Sequence, residues 1–203
     1  LSTQEIGLLS GAIVALCLIP YNLRVYQGKI HPVPTSWALW SLIGLALLLT
    51  YRSSGAGSNL WPAVFGFSNP VIVLLLALRH HEKWAKLNSL DIVCLILGVV
   101  SLAMWLCLRE SRALSQYALY VAIAADLCAG IPTFVFFWRN PERDRPFAWF
   151  LYAVGYFLAI FAITEHTVAN YILPIYMTSG SLTATLLLAI PRIRRKAPIK
   201  DWI

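Results

Sequence analysis

The chain has 203 residues, of which 59% are hydrophobic and only 12% charged, with a mean hydropathy of +0.70 and a net charge of +7. A soluble chain averages roughly 45–50% apolar and about 25% charged residues, so a water-coated globule is excluded. Eight Trp, nine Tyr and nine Phe exclude a disordered chain as well. An all-α integral membrane protein remains, and the length accommodates about seven spanning helices with short loops.

Stretches of about 20 apolar residues predict seven transmembrane helices, at 6–21, 34–51, 60–78, 90–108, 117–137, 147–164 and 168–190. The first reads as a span and not as a signal peptide, because Gln4 and Glu5 stand where a basic leader would begin and no small-residue cleavage site follows. These runs are continuously apolar and twice as long as a tilted barrel strand requires. Cys17, Cys94, Cys107 and Cys128 all fall inside apolar runs, where thiols are expected to pack as small buried hydrophobes.

Basic residues sort by loop. The loops after spans one, three and five and the tail hold Arg24 and Lys29; Arg79, Lys83 and Lys86; Arg139, Arg143 and Arg145; and Arg192, Arg194, Arg195, Lys196 and Lys200. Only Arg52, Arg109 and Arg112 fall on the other side. Lys and Arg are retained on the cytoplasmic side, so the amino terminus is expected outside and the carboxyl terminus inside. The basic surplus is thereby a topology signal with a lipid bilayer as partner, and nucleic acid is not expected.

An ungapped offset of 112 residues aligns the first and last thirds of the chain. Ile19-Pro20 falls on Ile131-Pro132, Pro34 on Pro146, Trp37 on Trp149, Trp40 on Tyr152 and Pro62 on Pro174. Fixed-period similarity of this kind is an architectural signal. It divides the chain into a first triple-helix repeat (1–83), a linker helix (84–116) and a second triple-helix repeat with a basic tail (117–203). Three crossings leave a directly joined second copy inverted, and the fourth span restores its direction. The expected plan is 3+1+3, with parallel repeats related by an axis along the membrane normal. Carriers built from such halves hold their substrate between them.

Pro20-Tyr21, Arg24, Tyr26 and Lys29, followed by Pro34-Thr35-Ser36-Trp37, resemble the motif of the SWEET, SemiSWEET and PQ-loop transporter superfamily. Tyr21 and Thr133 stand where that family carries glutamine. Trp37-x-x-Trp40 is a fainter echo of the PnuC-type vitamin carriers, with Gly44 at their asparagine position. The resemblance implies alternating-access transport of a small polar solute such as a sugar. It also implies that Pro20, Pro34, Pro132 and Pro146 form a bending inner gate. An asparagine in the third helix of each repeat contacts substrate in that family, which maps the role onto Asn69 and its repeat partner Ser181.

Other residues are singled out by depth. Polar groups inside a membrane are costly and are usually turned toward the bundle interior. Asp126, nine residues into span five and opposite Val14 in the repeat, is the one acid well inside a span; it needs a proton or a partner, and suggests a proton- or amine-binding role. Trp40 and Tyr152 sit one turn deeper than the headgroup-level Trp37 and Trp149 and suit cavity walls. The alternatives are that Asn69 bonds a neighbouring helix or the carbonyl freed by Pro70, that Asp126 is a protonated acid bonded to a helix backbone, and that the prolines only start or bend helices. Pro62 and Pro174 are expected merely to start theirs.

His80-His81-Glu82 and Glu165-His166 are expected at opposite membrane faces, about 30 Å apart, and cannot form one catalytic site. No His-x-x-x-His, Gly-x-Ser-x-Gly or phosphate-cradling loop appears, so no enzyme activity, metal or cofactor is expected. A seven-helix receptor or a non-transporting scaffold is the stronger alternative, although neither predicts a parallel repeat. The absence of an Asn-x-Ser/Thr sequon and the compact loops lean toward a bacterial inner membrane. Oligomeric state is left open.

Overall fold

A computed structural model describes residues 1–202; Ile203 and the Lys200 side chain, both in the expected basic tail, lie outside the described residues. Among the described residues every regular element is helical: α1 (Thr3–Tyr26), α2 (Pro34–Ser53), α3 (Trp61–Arg79), α4 (Ser89–Leu108), α5 (Arg112–Arg139), α6 (Pro146–Ile160) and α7 (Val168–Arg194). Short 3-10 turns occur at Ser58–Leu60, Pro141–Arg143 and Ile199–Asp201. Six of the seven α-helices are long and apolar enough to cross a membrane, which makes this a multi-pass helical membrane protein.

The exception is α6, expected over 147–164 but ending at Ile160 after 15 residues. Its length of about 22 Å falls short of a hydrocarbon core of about 30 Å. Its last turn tightens as Phe161 and Ala162 donate to carbonyls three residues back, at 3.0 and 3.1 Å, and buried Ala162 and Ile163 then fold against the bundle. Elsewhere the helices outrun their apolar stretches. α1 continues to Tyr26, α5 begins at Arg112 and α7 runs to Arg194. Hydropathy marks only the hydrocarbon part of a helix, whose backbone bonding continues into the headgroup region.

Local chemistry accounts for the boundaries. Pro34 and Pro146 are first residues of α2 and α6, and Pro62 lies in the first turn of α3, where a missing N–H costs nothing. Asn88 caps α4 by accepting from Leu90 and Asp91, and Thr167 caps α7 by accepting from Asn170. Pro174 departs from expectation. It lies within α7, where it removes a helical bond rather than starting the helix. Cys107 departs too, being exposed on α4 among lipid-facing residues while Cys17 and Cys94 are buried.

The helices close into a ring. α3 packs against α1 and α2, and α7 packs against α5 and α6. The ring is completed where α1 meets α6 and α2 meets α5, with α4 lying across the α2–α5 seam. Small residues permit these approaches, since helices in lipid associate through close packing. A Cβ on Gly155 of α6 would stand 2.5 Å from Val14 Cγ2 and 3.0 Å from the Ser10 carbonyl of α1. Gly98 of α4 sits against Leu42 and Ile43 of α2, and Ser101 Oγ donates to the Ala118 carbonyl of α5 at 2.8 Å. The main buried cluster runs from Leu39, Ile43 and Leu47 on α2 through Cys94 and Leu119 to Leu173 on α7.

Contacts also sort the loops to two ends. At one end His31 bonds Glu82 at 2.5 Å and Thr35 Oγ1 donates to the Ala85 carbonyl, while Arg24 shares a cavity with Arg143 and Arg195. At the other, Arg112 bonds Glu165 and Asn170 reaches Gly55. Most of the basic residues therefore gather at the first end. Replacing Gly155 by Leu inserts a side chain where α1 leaves no room, and the expected outcome is a loss of about 1–3 kcal/mol, read as a lowered melting temperature of the purified protein.

Candidate functional site

The polar groups inside the ring converge on α5, α6, α7 and the middle of α3. Asp126 follows buried Ala125 on α5 and precedes Leu127, which is exposed on the lipid side; its own side chain is half-buried. The Tyr176 hydroxyl of α7 donates to Asp126 Oδ2 at 2.8 Å. Tyr152 and Tyr156 occupy successive turns of α6, with ring centroids 5.0 Å apart and planes inclined by 44°.

Gly66 of α3 makes room for this cluster. The position of an added Cβ there is 2.9 Å from both the Tyr152 and the Tyr156 hydroxyl oxygens. Pro70, four residues later, has no N–H, so the Gly66 carbonyl is left without its helical donor. Thr178 Oγ1, one residue past Met177 and two past Tyr176, is buried without a hydrogen-bond partner. In the 112-residue register Thr178 is the counterpart of Gly66. A carboxyl group and three phenols can exchange hydrogen bonds with a hydroxyl- or amine-bearing solute, and the tyrosine rings offer faces for stacking.

Of the residues expected from sequence, Tyr152 and Asp126 belong to this cluster. Asn69 has a different neighbour: it accepts at Oδ1 from Asn22 Nδ2 of α1 at 2.8 Å, and Asn22 also donates to the Leu18 carbonyl at 3.0 Å. Interhelical bonds of this kind contribute about 0.6 kcal/mol on average. Ser181 is buried on α7, where its carbonyl accepts from Thr185 Oγ1. Trp40 is half-buried on α2, and Trp37 packs on Tyr21 with ring centroids 5.5 Å apart.

Pro34 and Pro146 are buried at their helix starts. Pro20 and Pro132 are exposed within continuous helices, beside the half-exposed Ile19 and Ile131. Glu82 and Glu165 bond His31 and Arg112 at opposite ends of the bundle.

Tyr156, Tyr176 and Asn22 were not singled out by sequence. Tyr156 is one turn beyond Tyr152 on the same face, which a helical-periodicity count from Tyr152 would have found. Asn22 fell just past the expected end of span one at residue 21, and the longer α1 carries it into the bundle.

A second network closes the end opposite the basic loops. Pro174 leaves the Asn170 carbonyl without a helical donor, and the Tyr51 hydroxyl of α2 donates to it at 2.9 Å. Asn59 Nδ2 donates in turn to the Tyr51 hydroxyl. Asn170 Nδ2 donates to the Glu165 carbonyl at 2.8 Å, and Arg112 holds the Glu165 carboxylate at 2.6 and 2.8 Å. Gly55, at φ +106°, lies against Glu165 Oε2, a conformation and a space that only glycine fits. Among the described residues, Tyr51, Asn59 and Asn170 are nearly inaccessible.

Comparison with protein-family models, curated proteins and solved structures finds no match to this chain. Replacing Tyr51 by Phe leaves the Asn170 carbonyl without a donor and Asn59 without an acceptor, both buried. The expected cost is about 1–3 kcal/mol, measurable as reduced thermal stability, with Tyr171→Phe at the more exposed His166 contact as the milder comparison.

Proposed function

We propose that this protein is a SWEET-like carrier that moves a small polar solute across a membrane by alternating access, with the polar cluster of α5, α6, α7 and α3 as its solute site. The observation that carries this reading is the pattern of helix contacts. Exchanging α1–α3 with α5–α7 maps the α1–α6 seam onto α5–α2, and maps α3 between α1 and α2 onto α7 between α5 and α6. A rotation about the membrane normal makes that exchange, as two parallel triple-helix repeats require, and α4 is the unpaired linker. Carriers with this symmetry place substrate at the interface of the halves.

The gathering of basic loops at one end supports an orientation with that end cytoplasmic and the amino terminus outside. Compact loops favour a bacterial inner membrane. In this arrangement the Tyr51–Asn59–Asn170 network seals the outer end, and Pro20, Pro34, Pro132 and Pro146 provide bending points near the inner end. The solute is small and polar, in keeping with a site built of hydroxyls and one carboxyl; Tyr152 supplies an aromatic wall, and we assign Asn69, Ser181 and Trp40, which lie outside the cluster, to the solute path along α3, α7 and α2.

The test is uptake by proteoliposomes of radiolabelled sugars, nucleosides, vitamins and amino acids. The expected outcome is saturable uptake of at least one of them, reduced roughly tenfold in both Asp126→Asn and Tyr176→Phe. Absence of uptake across the panel by correctly folded protein contradicts the carrier reading. An Asp126→Asn protein that transports like the parent at every pH assigns Asp126 a structural role.

A further inference from the structure

A cavity of about 630 Å³ opens at the basic end of the bundle, at a point where four separate segments meet. Arg24 comes from the last turn of α1 and Arg145 from the residue before α6. Arg143 lies in the 3-10 turn after α5, and Arg195 caps the end of α7. The tail completes the wall with Pro198 and Asp201, and Glu142 is the other acid in the lining. Among the described residues none of these six charged side chains forms an ion pair.

The wall is built rather than incidental. Arg192, 3% exposed, donates to the carbonyls of Asp201 at 2.8 Å, Pro141 at 2.6 Å and Leu188 at 2.8 Å, and also to those of Glu142 and Asp144. One guanidinium thus ties α7, the α5–α6 turn and the tail together with no carboxylate against it. Lys196, at φ +51°, turns the chain back, and the Phe147 N–H of α6 donates to the Trp202 carbonyl at 3.2 Å. The backbone segments that carry Arg143, Arg145 and Arg195 are consequently held together around the cavity.

We infer that this cavity is a binding site for a phosphate monoester. Five guanidinium groups, Arg192 included, oppose two carboxylates, and a group carrying about two negative charges offsets most of that excess. Guanidinium forks match phosphate oxygens in pairs, which an ammonium does not. Because the cavity lies where helices end, the phosphate belongs either to a lipid headgroup reaching in from the adjoining leaflet or to a free solute. The site spans both halves of the ring, through Arg24 on one side and Arg143, Arg145 and Arg195 on the other, and it is separate from the tyrosine cluster.

The full-length protein in nanodiscs of phosphatidylcholine tests this by thermal unfolding, with three additions: phosphatidic acid, phosphatidylglycerol, and glycerol 3-phosphate in solution. The expected result is a raised melting temperature with phosphatidic acid, exceeding that with the diester phosphatidylglycerol, and at least tenfold weaker binding in Arg143→Gln/Arg145→Gln and in Arg24→Gln. Arg143→Lys/Arg145→Lys, which keeps charge but loses the fork, is expected to recover part of the affinity. Stabilisation by glycerol 3-phosphate as well assigns the site to a free phosphate compound; stabilisation by phosphatidic acid alone assigns it to a lipid headgroup.

Arg109→Gln, outside the cavity, serves as the charge control. No monoester effect in the wild-type protein, or an effect equal in all variants, overturns the site. Transport by the Arg24→Gln protein is a separate measurement, so failure here leaves the carrier reading to its own test.

Discussion

Close approach of helices whose polar backbone is already satisfied is the constraint on which the rest of this structure depends. In hydrocarbon there is no hydrophobic drive between helices, so a ring of helices stays closed only where small residues let backbones touch. Gly155 against Ser10 and Val14 supplies that contact at the α1–α6 seam. At the other seam, buried Ala46, Ala122 and Ala125 share one cluster with Ile43 and Leu47, and α4 covers the joint through Gly98 and Ser101. The α2–α5 seam is thus covered by a further helix, whereas the α1–α6 seam is not.

Proline adds a second consequence of the same constraint. Each internal proline deletes one backbone bond, and a carbonyl in lipid then needs another donor. At Pro174 the Asn170 carbonyl takes the Tyr51 hydroxyl of another helix, and a packing defect becomes a tie between the halves. At Pro70 the Gly66 carbonyl loses its helical donor, on the same residue whose missing side chain leaves room for the Tyr152 and Tyr156 hydroxyls. The same local chemistry thus seals one end of the bundle and furnishes its middle.

Much of the fold was legible because hydrocarbon imposes long apolar runs and prolines mark helix starts, as at Pro34 and Pro146. Helix edges were less legible. Helix α6 ended early because its last turn tightened and folded inward, although Phe161–Ile163 remain apolar; α1 ran on because polar Asn22 finds a partner inside the bundle in Asn69. Asp126 stood out in the sequence by its charge. Its partner Tyr176 did not, since a bond across 50 positions leaves no local pattern. The Arg192 clamp was hidden for a similar reason: in sequence it is one more basic residue of the tail, and only folding surrounds it with carbonyls.

These features make a ring that is tied at one end by hydrogen bonds between its halves and lined at the other by unpaired arginines. Motion of one half against the other is the central requirement of the account. It is tested most directly by double electron–electron resonance in nanodiscs, with spin labels on exposed Arg52 and His166 at one end and on exposed Lys29 and Arg143 at the other. The account predicts two distances for each pair, with conditions that lengthen one pair shortening the other. A single, unchanging distance at both ends would contradict it.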